Sequence, residues 1–148
     1  MSGRRLTPDL PPLWLAGHMA AAWALARWLP LWRFDAGAAG RVVIVLGVAL
    51  ILWSAWWFWR KRTPIEPRHT PRALIVEGPY RLNRNPIYTG LVVILAGWAL
   101  SLGSLSALLT VPVLPVVLTR RFISPEEAAL RAAFGAEAER YLTRSRRW

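Results

Sequence analysis

The polar side chains best placed for chemistry lie in one short block, residues 78–90. Within this block Asn85 precedes Pro86, a pair typical of the N-cap and the first position of a helix. The N-terminal end of a helix carries a partial positive charge and free backbone N–H groups, and both attract anions. Because Arg81 and Arg84 lie beside this predicted helix start, the block predicts a binding site for an anionic group of a ligand.

A second polar block, residues 124–127, has the sequence Ser-Pro-Glu-Glu and places two carboxylates side by side. Ser124 with Glu127 three positions later is typical of a capping box, and Pro125 suits the first helical position. The block therefore predicts a new helix that begins at Ser124. In this interpretation Glu127 is either the reciprocal acceptor of the cap or a functional carboxylate.

The composition decides what kind of protein carries these blocks. The chain has 148 residues, of which 55% are apolar and 10 are Trp, and its formal net charge is +11. So apolar a chain is neither disordered nor readily soluble at this size, and we expect its apolar residues to face lipid. The charge alone would suggest nucleic-acid binding, but no zinc-finger spacing is present and the aromatic residues fall in apolar stretches. The absence of Cys excludes disulfides, thiolate metal sites and a cysteine nucleophile, and the two His lie far apart without carboxylates at ligand spacing, so we expect no metal site.

The apolar stretches that must position the two blocks predict an all-α membrane bundle. The uncharged stretch from residue 87 to residue 119 is too long for one helix across a hydrocarbon core of about 30 Å, so it predicts a helical hairpin with its turn at residues 101–104. Pro112 and Pro115 should bend the second limb of that hairpin. The predicted elements of this single domain are four spans at 13–31, 42–59, 87–101 and 105–119, a loop at 60–86, and a cytoplasmic amphipathic helix at 124–145.

The basic residues are divided unevenly between the two sides of this bundle. Only Arg27, Arg33 and Arg41 fall on one side, and the other basic residues fall on the opposite side. By the positive-inside rule the more basic side is cytoplasmic, and it also attracts anionic lipid headgroups. Both polar blocks and both ends of the chain are expected on that side.

Taken together, the two blocks resemble a known superfamily. Residues 78–90 have the sequence Gly-Pro-Tyr-Arg-Leu-Asn-Arg-Asn-Pro-Ile-Tyr-Thr-Gly, and the Glu pair at 126–127 is followed by Phe134-Gly135 and Tyr141. This arrangement resembles the isoprenylcysteine carboxyl methyltransferase and phospholipid methyltransferase superfamily, whose members are integral-membrane enzymes. The resemblance extends from about residue 67 to residue 148. It implies a methyltransferase that uses S-adenosylmethionine as its cofactor.

The resemblance also implies roles for individual side chains. Position 85 is Asn where the best-known members have His, a variant that looks like the bacterial branch of the family. Phe122 stands where the family has a substrate-contacting Arg, which leaves Arg121 or Arg120 as the candidate catalytic stand-in. An acceptor that must lose a proton would need a base, for which Glu127 and His69 are the candidates. The residues implied to contact the cofactor are Arg72, Leu74, Ile75, Tyr80, Asn85, Pro86, Tyr88 and Glu126.

The methyl acceptor stays open at this stage. A lipophilic or membrane-embedded carboxylate, amine or thiol would each fit an enzyme at the cytoplasmic face of a bacterial inner membrane. Membrane lipids and a lipophilic substrate are the expected partners, nucleic acid is not, and the oligomeric state is undetermined. Two alternatives of other kinds are a non-catalytic membrane scaffold or carrier that keeps the methyltransferase fold, and an NADPH-dependent reductase-like relative.

Overall fold

The computed structural model describes residues 9–63, 65 and 72–148, and in this part of the chain it is all-α. The described residues form no β-strand, and only two isolated bridges join loop residues. This confirms the all-α part of the predicted fold class. The helices are α1 (Pro11–Trp28), α2 (Gly37–Arg60), α3 (Pro86–Leu102), α4 (Leu105–Leu108), α5 (Val113–Leu118) and α6 (Ser124–Arg144), with a 3-10 turn at Gly78–Arg81 and a π-helical segment at Thr119–Ile123.

Helices α2 and α3 form a closely packed antiparallel pair, because glycines face each other at two levels along the contact. A Cβ atom added to Gly97 would lie 2.6 Å from the carbonyl oxygen of Gly40, and one added to Gly90 would lie 2.9 Å from that of Gly47. Small residues of this kind let two helix backbones approach without side chains between them. The pair therefore has a fixed register, which sets where the N-terminal end of α3 lies.

Helix α1 packs on the other side of α3 through small side chains and a few polar contacts. Ala22 and Ala26 of α1 are buried against Ala99 and Ala107. The indole Nε1 of Trp98 donates a hydrogen bond to the carbonyl of Met19 at 3.0 Å. The main apolar core lies next to this cluster and contains Leu15, Tyr88, Leu91, Leu95, Leu114, Leu118, Phe122 and Ile123.

The predicted hairpin turn is present. Helix α3 ends at Leu102, and Gly103 adopts the left-handed conformation with φ 62° and ψ 39° that ends helices readily. A Cβ at this position would lie 2.3 Å from the carbonyl oxygen of Phe34, so the turn also needs glycine for space. Beyond the turn, the limb is interrupted between α4 and α5, in the region where Pro112 removes a backbone donor.

The helix predicted from Ser124 is present as α6, but the prediction that a capping box starts it is wrong. Ser124 has helical dihedral angles (φ −62°, ψ −44°), and the start of α6 has no side-chain cap hydrogen bond, because α5 continues through the π-helical segment into α6. Pro125 has no N–H to donate to the carbonyl four residues before it, and a π-helical turn just upstream lets the chain accommodate this loss without ending the helix. Helix α6 is instead interrupted at Gly135, which has φ 52° and ψ −125°.

Among the described residues, two helical runs are long and apolar enough to cross a membrane. They are α2, Gly37–Arg60, and the run Leu105–Arg144. Helix α3 is also apolar but shorter, with 17 residues. The apolar part of the second run ends at Leu118, since Arg120 and Arg121 follow.

Candidate functional site

The N-terminal end of α3 is shaped by the asparagine-rich segment before it. The side-chain Oδ1 of Asn83 accepts the backbone N–H of Asn85 at 2.7 Å, and its Nδ2 donates to Thr89 Oγ1 at 2.6 Å. Pro86 is the first helical residue and Asn85 occupies the N-cap position, as predicted, although the Asn85 side chain makes no cap hydrogen bond. The amide that organises the helix start thus belongs to Asn83, which leaves the Asn85 side chain for other contacts.

A cavity of about 870 Å³ lies beside this helix start. Its volume is within the range of roughly 300–1,000 Å³ typical of small-molecule sites. Walls come from α2, the beginning of α1, the segment 73–75, the start of α3 and the face of α6, and most of the remaining lining residues are apolar. The cavity brings together eight of the residues singled out from the sequence: Leu74, Ile75, Tyr80, Asn85, Pro86, Tyr88, Glu126 and Glu127.

Glu126 is a cavity carboxylate in an apolar setting. The hydroxyl of Tyr88, at the start of α3, donates a hydrogen bond to Glu126 Oε1 at 2.5 Å. Burial raises the pKa of Glu126 to about 7, since desolvation outweighs the opposing effect of the Tyr88 hydrogen bond. This contact joins the two polar blocks of the sequence across the cavity. A carboxylate with so few partners is free to accept hydrogen bonds from a bound molecule.

Glu127 has the opposite environment. Its side chain is only 6% exposed and is held by two guanidinium groups. Arg84 Nε donates to Oε1 at 3.0 Å, while Arg147 donates from Nε to Oε1 at 2.9 Å and from Nη2 to Oε2 at 2.7 Å. These cationic partners hold the pKa of Glu127 below its usual range despite the opposing effect of burial. A carboxylate stabilised in this way is a poor proton acceptor and a good structural anchor.

Tyr80 places a phenol against the cavity wall. Its residue is 6% exposed, and its ring packs edge-to-face on Phe58 with centroids 5.8 Å apart. The backbone carbonyl of Tyr80 accepts a hydrogen bond from the Tyr141 hydroxyl at 2.8 Å, which ties the 3-10 turn to α6. The Tyr80 hydroxyl is buried and has no hydrogen-bond partner among the described residues. Burial raises the pKa of Tyr80, so the phenol stays protonated.

Three residues singled out from the sequence do not lie in this cavity or cannot be placed. Arg72 is exposed and does not line the cavity, although its backbone N–H bonds to the Thr63 hydroxyl at 3.0 Å. Arg121 also lies outside the lining and pairs with Asp9 at 3.1 Å. His69 lies outside the described residues. Phe122, by contrast, lines the cavity and packs on the Tyr88 ring with centroids 6.2 Å apart.

The lining fits the parts of S-adenosylmethionine. Glu126 is an acceptor for ribose hydroxyls or an amine, and the apolar and aromatic wall suits an adenine ring. The start of α3 offers backbone N–H groups to the carboxylate of the cofactor. The side chain of Arg84, which was expected to assist there, binds Glu127.

Sequence reasoning missed one residue of this site, Arg147. It follows α6 and binds Glu127 with two hydrogen bonds, and its carbonyl accepts the Asn85 amide N–H at 3.0 Å. No spacing pattern identifies it, because it stands in a basic segment next to Arg144 and Arg146. Its residue type and position therefore did not distinguish it from the other arginines expected on the cytoplasmic side.

Comparison with known proteins supplies the family. The model of the phospholipid methyltransferase family matches residues 36–137. No curated protein and no solved structure matches the chain significantly. Because the matched residues make up more than half of the chain and include both residues 78–90 and residues 124–127, the chain belongs to the phospholipid methyltransferase family.

Proposed function

We propose that this protein is an S-adenosylmethionine-dependent methyltransferase that acts on a lipophilic or membrane-embedded acceptor. The observation that carries the proposal is the cavity in which Tyr88 and Glu126, from the two separate polar blocks, meet through a hydrogen bond. Membership of the phospholipid methyltransferase family supports the reaction type. The apolar character of most of the lining supports a lipophilic acceptor.

In this proposal the side chains mainly bind and orient. S-adenosylmethionine supplies, when bound, a methyl group on a sulfonium centre that a nucleophile can take in an in-line displacement. Glu126 holds hydroxyl or amine groups of the cofactor, and Tyr80 forms part of the cavity wall beside it. Phe122 and the apolar wall exclude water from the acceptor, which raises the reactivity of a desolvated nucleophile.

We assign Glu127 to positioning rather than to proton transfer. Its carboxylate is occupied by Arg84 and Arg147, and a group with a lowered pKa is poorly matched to act as a base near neutral pH. A carboxylate acceptor would need no base at all. An amine or thiol acceptor would have to lose its proton to a group other than Glu127.

We further propose that the molecule spans the membrane four times, through α1, α2, α3 and the limb 105–118. The 3-10 turn, the start of α3 and α6 then lie on the cytoplasmic side, where most of the basic residues are found. The acceptor would enter from the bilayer between helices, and the cofactor from water.

The proposal is tested by binding and by transfer. Purified protein in detergent should bind S-adenosylhomocysteine in a calorimetric titration. Glu126→Ala and Tyr88→Ala should each weaken that binding, because each removes one side of the contact across the cavity. Arg131→Ala, at an exposed position of α6, is the control. If the parent protein does not bind S-adenosylhomocysteine, the proposal is wrong.

Transfer of a labelled methyl group into a membrane lipid extract distinguishes an enzyme from a non-catalytic carrier. Incorporation above the level of a Glu126→Ala control supports catalysis. Binding of S-adenosylhomocysteine without incorporation would instead favour the non-catalytic carrier. That alternative is suggested by Asn85 and Phe122, which depart from the family pattern.

A further inference from the structure

We propose that residues 145–147, which follow α6, form a clasp that holds the polar residues of the cavity wall in position. Within this clasp, Arg147 is a positioning residue for the cofactor site. The inference rests on the proposed function and adds a residue to it. These three residues, called the clasp below, contact the segment before α3 and the beginning of α6 through backbone and side-chain bonds.

The backbone of the clasp pairs with the segment before α3. The N–H of Arg84 donates to the carbonyl of Arg146 at 2.8 Å, and the N–H of Arg146 donates to the carbonyl of Leu82 at 3.0 Å. Together they make an isolated parallel bridge between Asn83 and Arg146. Two reciprocal bonds of this kind fix the height of the clasp relative to the start of α3.

The side chain of Arg84 fastens the same region to the end of α6. Its Nη1 donates to the carbonyl of Ser145 at 2.7 Å and also to the carbonyl of Leu142. Carbonyls at the end of a helix lack intrahelical partners and carry partial negative charge, so a guanidinium there is favourable. Arg84 thus acts as a cap for α6 while its Nε binds Glu127.

Arg147 completes the arrangement from the other direction. It binds both oxygens of Glu127, the fork-like geometry that makes an arginine–carboxylate pair specific. Glu127 is buried, whereas the Arg147 side chain is 40% exposed, so solvent screening reduces the strength of this pair. Removal of Arg147 would nevertheless leave a buried carboxylate with only Arg84 to neutralise it.

The clasp also fixes Asn85, which lines the cavity and is 8% exposed. The Nδ2 of Asn85 donates to the carbonyl of Arg147 at 3.0 Å. This bond fixes the orientation of the Asn85 amide, and therefore which of its polar atoms are available to a bound molecule. Arg84, Asn85 and Glu127 all line the cavity, and all three are held by the clasp. The family match ends at residue 137, so the clasp lies beyond the matched residues.

The test compares Arg147→Ala with Arg144→Ala in the full chain purified in detergent. Arg144 is exposed at the end of α6, so its substitution removes the same charge without touching the clasp. We expect Arg147→Ala to weaken S-adenosylhomocysteine binding roughly tenfold and Arg144→Ala to leave it unchanged. In the transfer assay the loss should appear in KM for S-adenosylmethionine more than in kcat, because the residue positions the site without touching the reacting atoms.

Two further measurements separate positioning from loss of folding. Arg147→Lys keeps the charge but not the fork, so its affinity should lie between those of the parent and Arg147→Ala. Amide hydrogen exchange at residues 82–85 should be faster in Arg147→Ala than in Arg144→Ala. Equal affinities or equal exchange in these two variants would overturn the inference. If the parent binds no S-adenosylhomocysteine while the exchange still differs, the proposed function fails and the cofactor role of the clasp fails with it, although its contacts stand.

Discussion

At the scale of single residues, the adjacent carboxylates of Glu126 and Glu127 have been divided between two tasks by their surroundings. Glu126 faces an apolar cavity and one tyrosine hydroxyl, so its pKa is raised. Glu127 faces Arg84 and Arg147, so its pKa is lowered. Consecutive helical residues point about 100° apart, and this angle is enough to direct one side chain into the cavity and the other towards the arginines. The chemistry of each glutamate therefore follows from its direction rather than from its type.

The raised pKa of Glu126 predicts a pH-dependent affinity for the cofactor. If the ligand requires the ionised carboxylate, protonation competes with binding below the pKa of about 7. The affinity for S-adenosylhomocysteine should then rise with pH, by up to about tenfold per unit well below pH 7, and level off above it. Calorimetric titrations between about pH 5.5 and about pH 8.5 measure this.

Glu126→Gln is the matched variant for that experiment, because it keeps the size of the side chain and cannot ionise. It should bind more weakly than the parent, and any pH dependence it retains belongs to the ligand or to other groups. Identical slopes in the parent and in Glu126→Gln would show that the ionisation of Glu126 is not coupled to binding.

Sequence patterns located those site residues whose roles depend on local order. Asn85 and Pro86 are typical of the N-cap and first position of a helix, and Tyr88 follows within the first turn, so their placement could be predicted. Arg147 could not, since its contact with Glu127 depends on how the chain after α6 returns to the start of α3. Arg121 is a candidate because it neighbours Phe122, where the resemblance implies an Arg, and in the structure it pairs with Asp9 outside the cavity lining.

At the scale of elements, the antiparallel contact of α2 and α3 is what holds the cavity in place. Glycines at 40 and 47 of α2 meet glycines at 97 and 90 of α3, and both spacings are seven residues. The seven-residue spacing is present in the sequence, but no G-x-x-x-G motif draws attention to it. The bounds of α3 and the turn at Gly103 were predictable from apolar length and glycine. The absence of a break at Ser124 was not, because a π-helical segment leaves no simple signal in residue type.

This contact predicts a contrast between two equivalent substitutions, Gly97→Ala and Gly17→Ala. In the first, the added Cβ would lie 2.6 Å from the Gly40 carbonyl oxygen and 2.7 Å from the Ile44 nitrogen, so two backbones must separate. Overpacking of this kind costs roughly 1–3 kcal/mol. Nothing lies within 4 Å of the Cβ position at Gly17, where alanine should be neutral or should stabilise the helix by up to about 1 kcal/mol.

Unfolding followed by circular dichroism in the same detergent compares the two variants. Gly97→Ala should lower the midpoint of unfolding and Gly17→Ala should not. If both variants unfold at the midpoint of the parent, the close approach of α2 and α3 is not present in solution.

At the scale of the whole molecule, the basic charge and the apolar residues occupy different places. Arg60 ends α2 and Arg62 follows it, and Arg120 and Arg121 follow the apolar limb, so positive charge collects where α2 and that limb end. The cavity lies at the same end, with Arg84 and Arg147 in its polar wall or beside it. Part of the net charge of +11 therefore neutralises a buried carboxylate of the site and caps a helix, and the rest is free to set orientation in a membrane.

The proposed orientation can be measured directly, since the natural chain contains no Cys and each engineered thiol is unique. Ala38→Cys lies exposed in the first turn of α2, and Ala136→Cys lies exposed on α6, so both thiols are accessible to a reagent. With α6 on the cytoplasmic side, a membrane-impermeant maleimide should label Ala38→Cys in intact spheroplasts and Ala136→Cys only after lysis. Labelling of both variants before lysis would place the start of α2 and α6 on the same side of the membrane. That result would contradict four spans. The reverse pattern would keep the four spans and invert their orientation, which would move the cofactor site away from the cytoplasm.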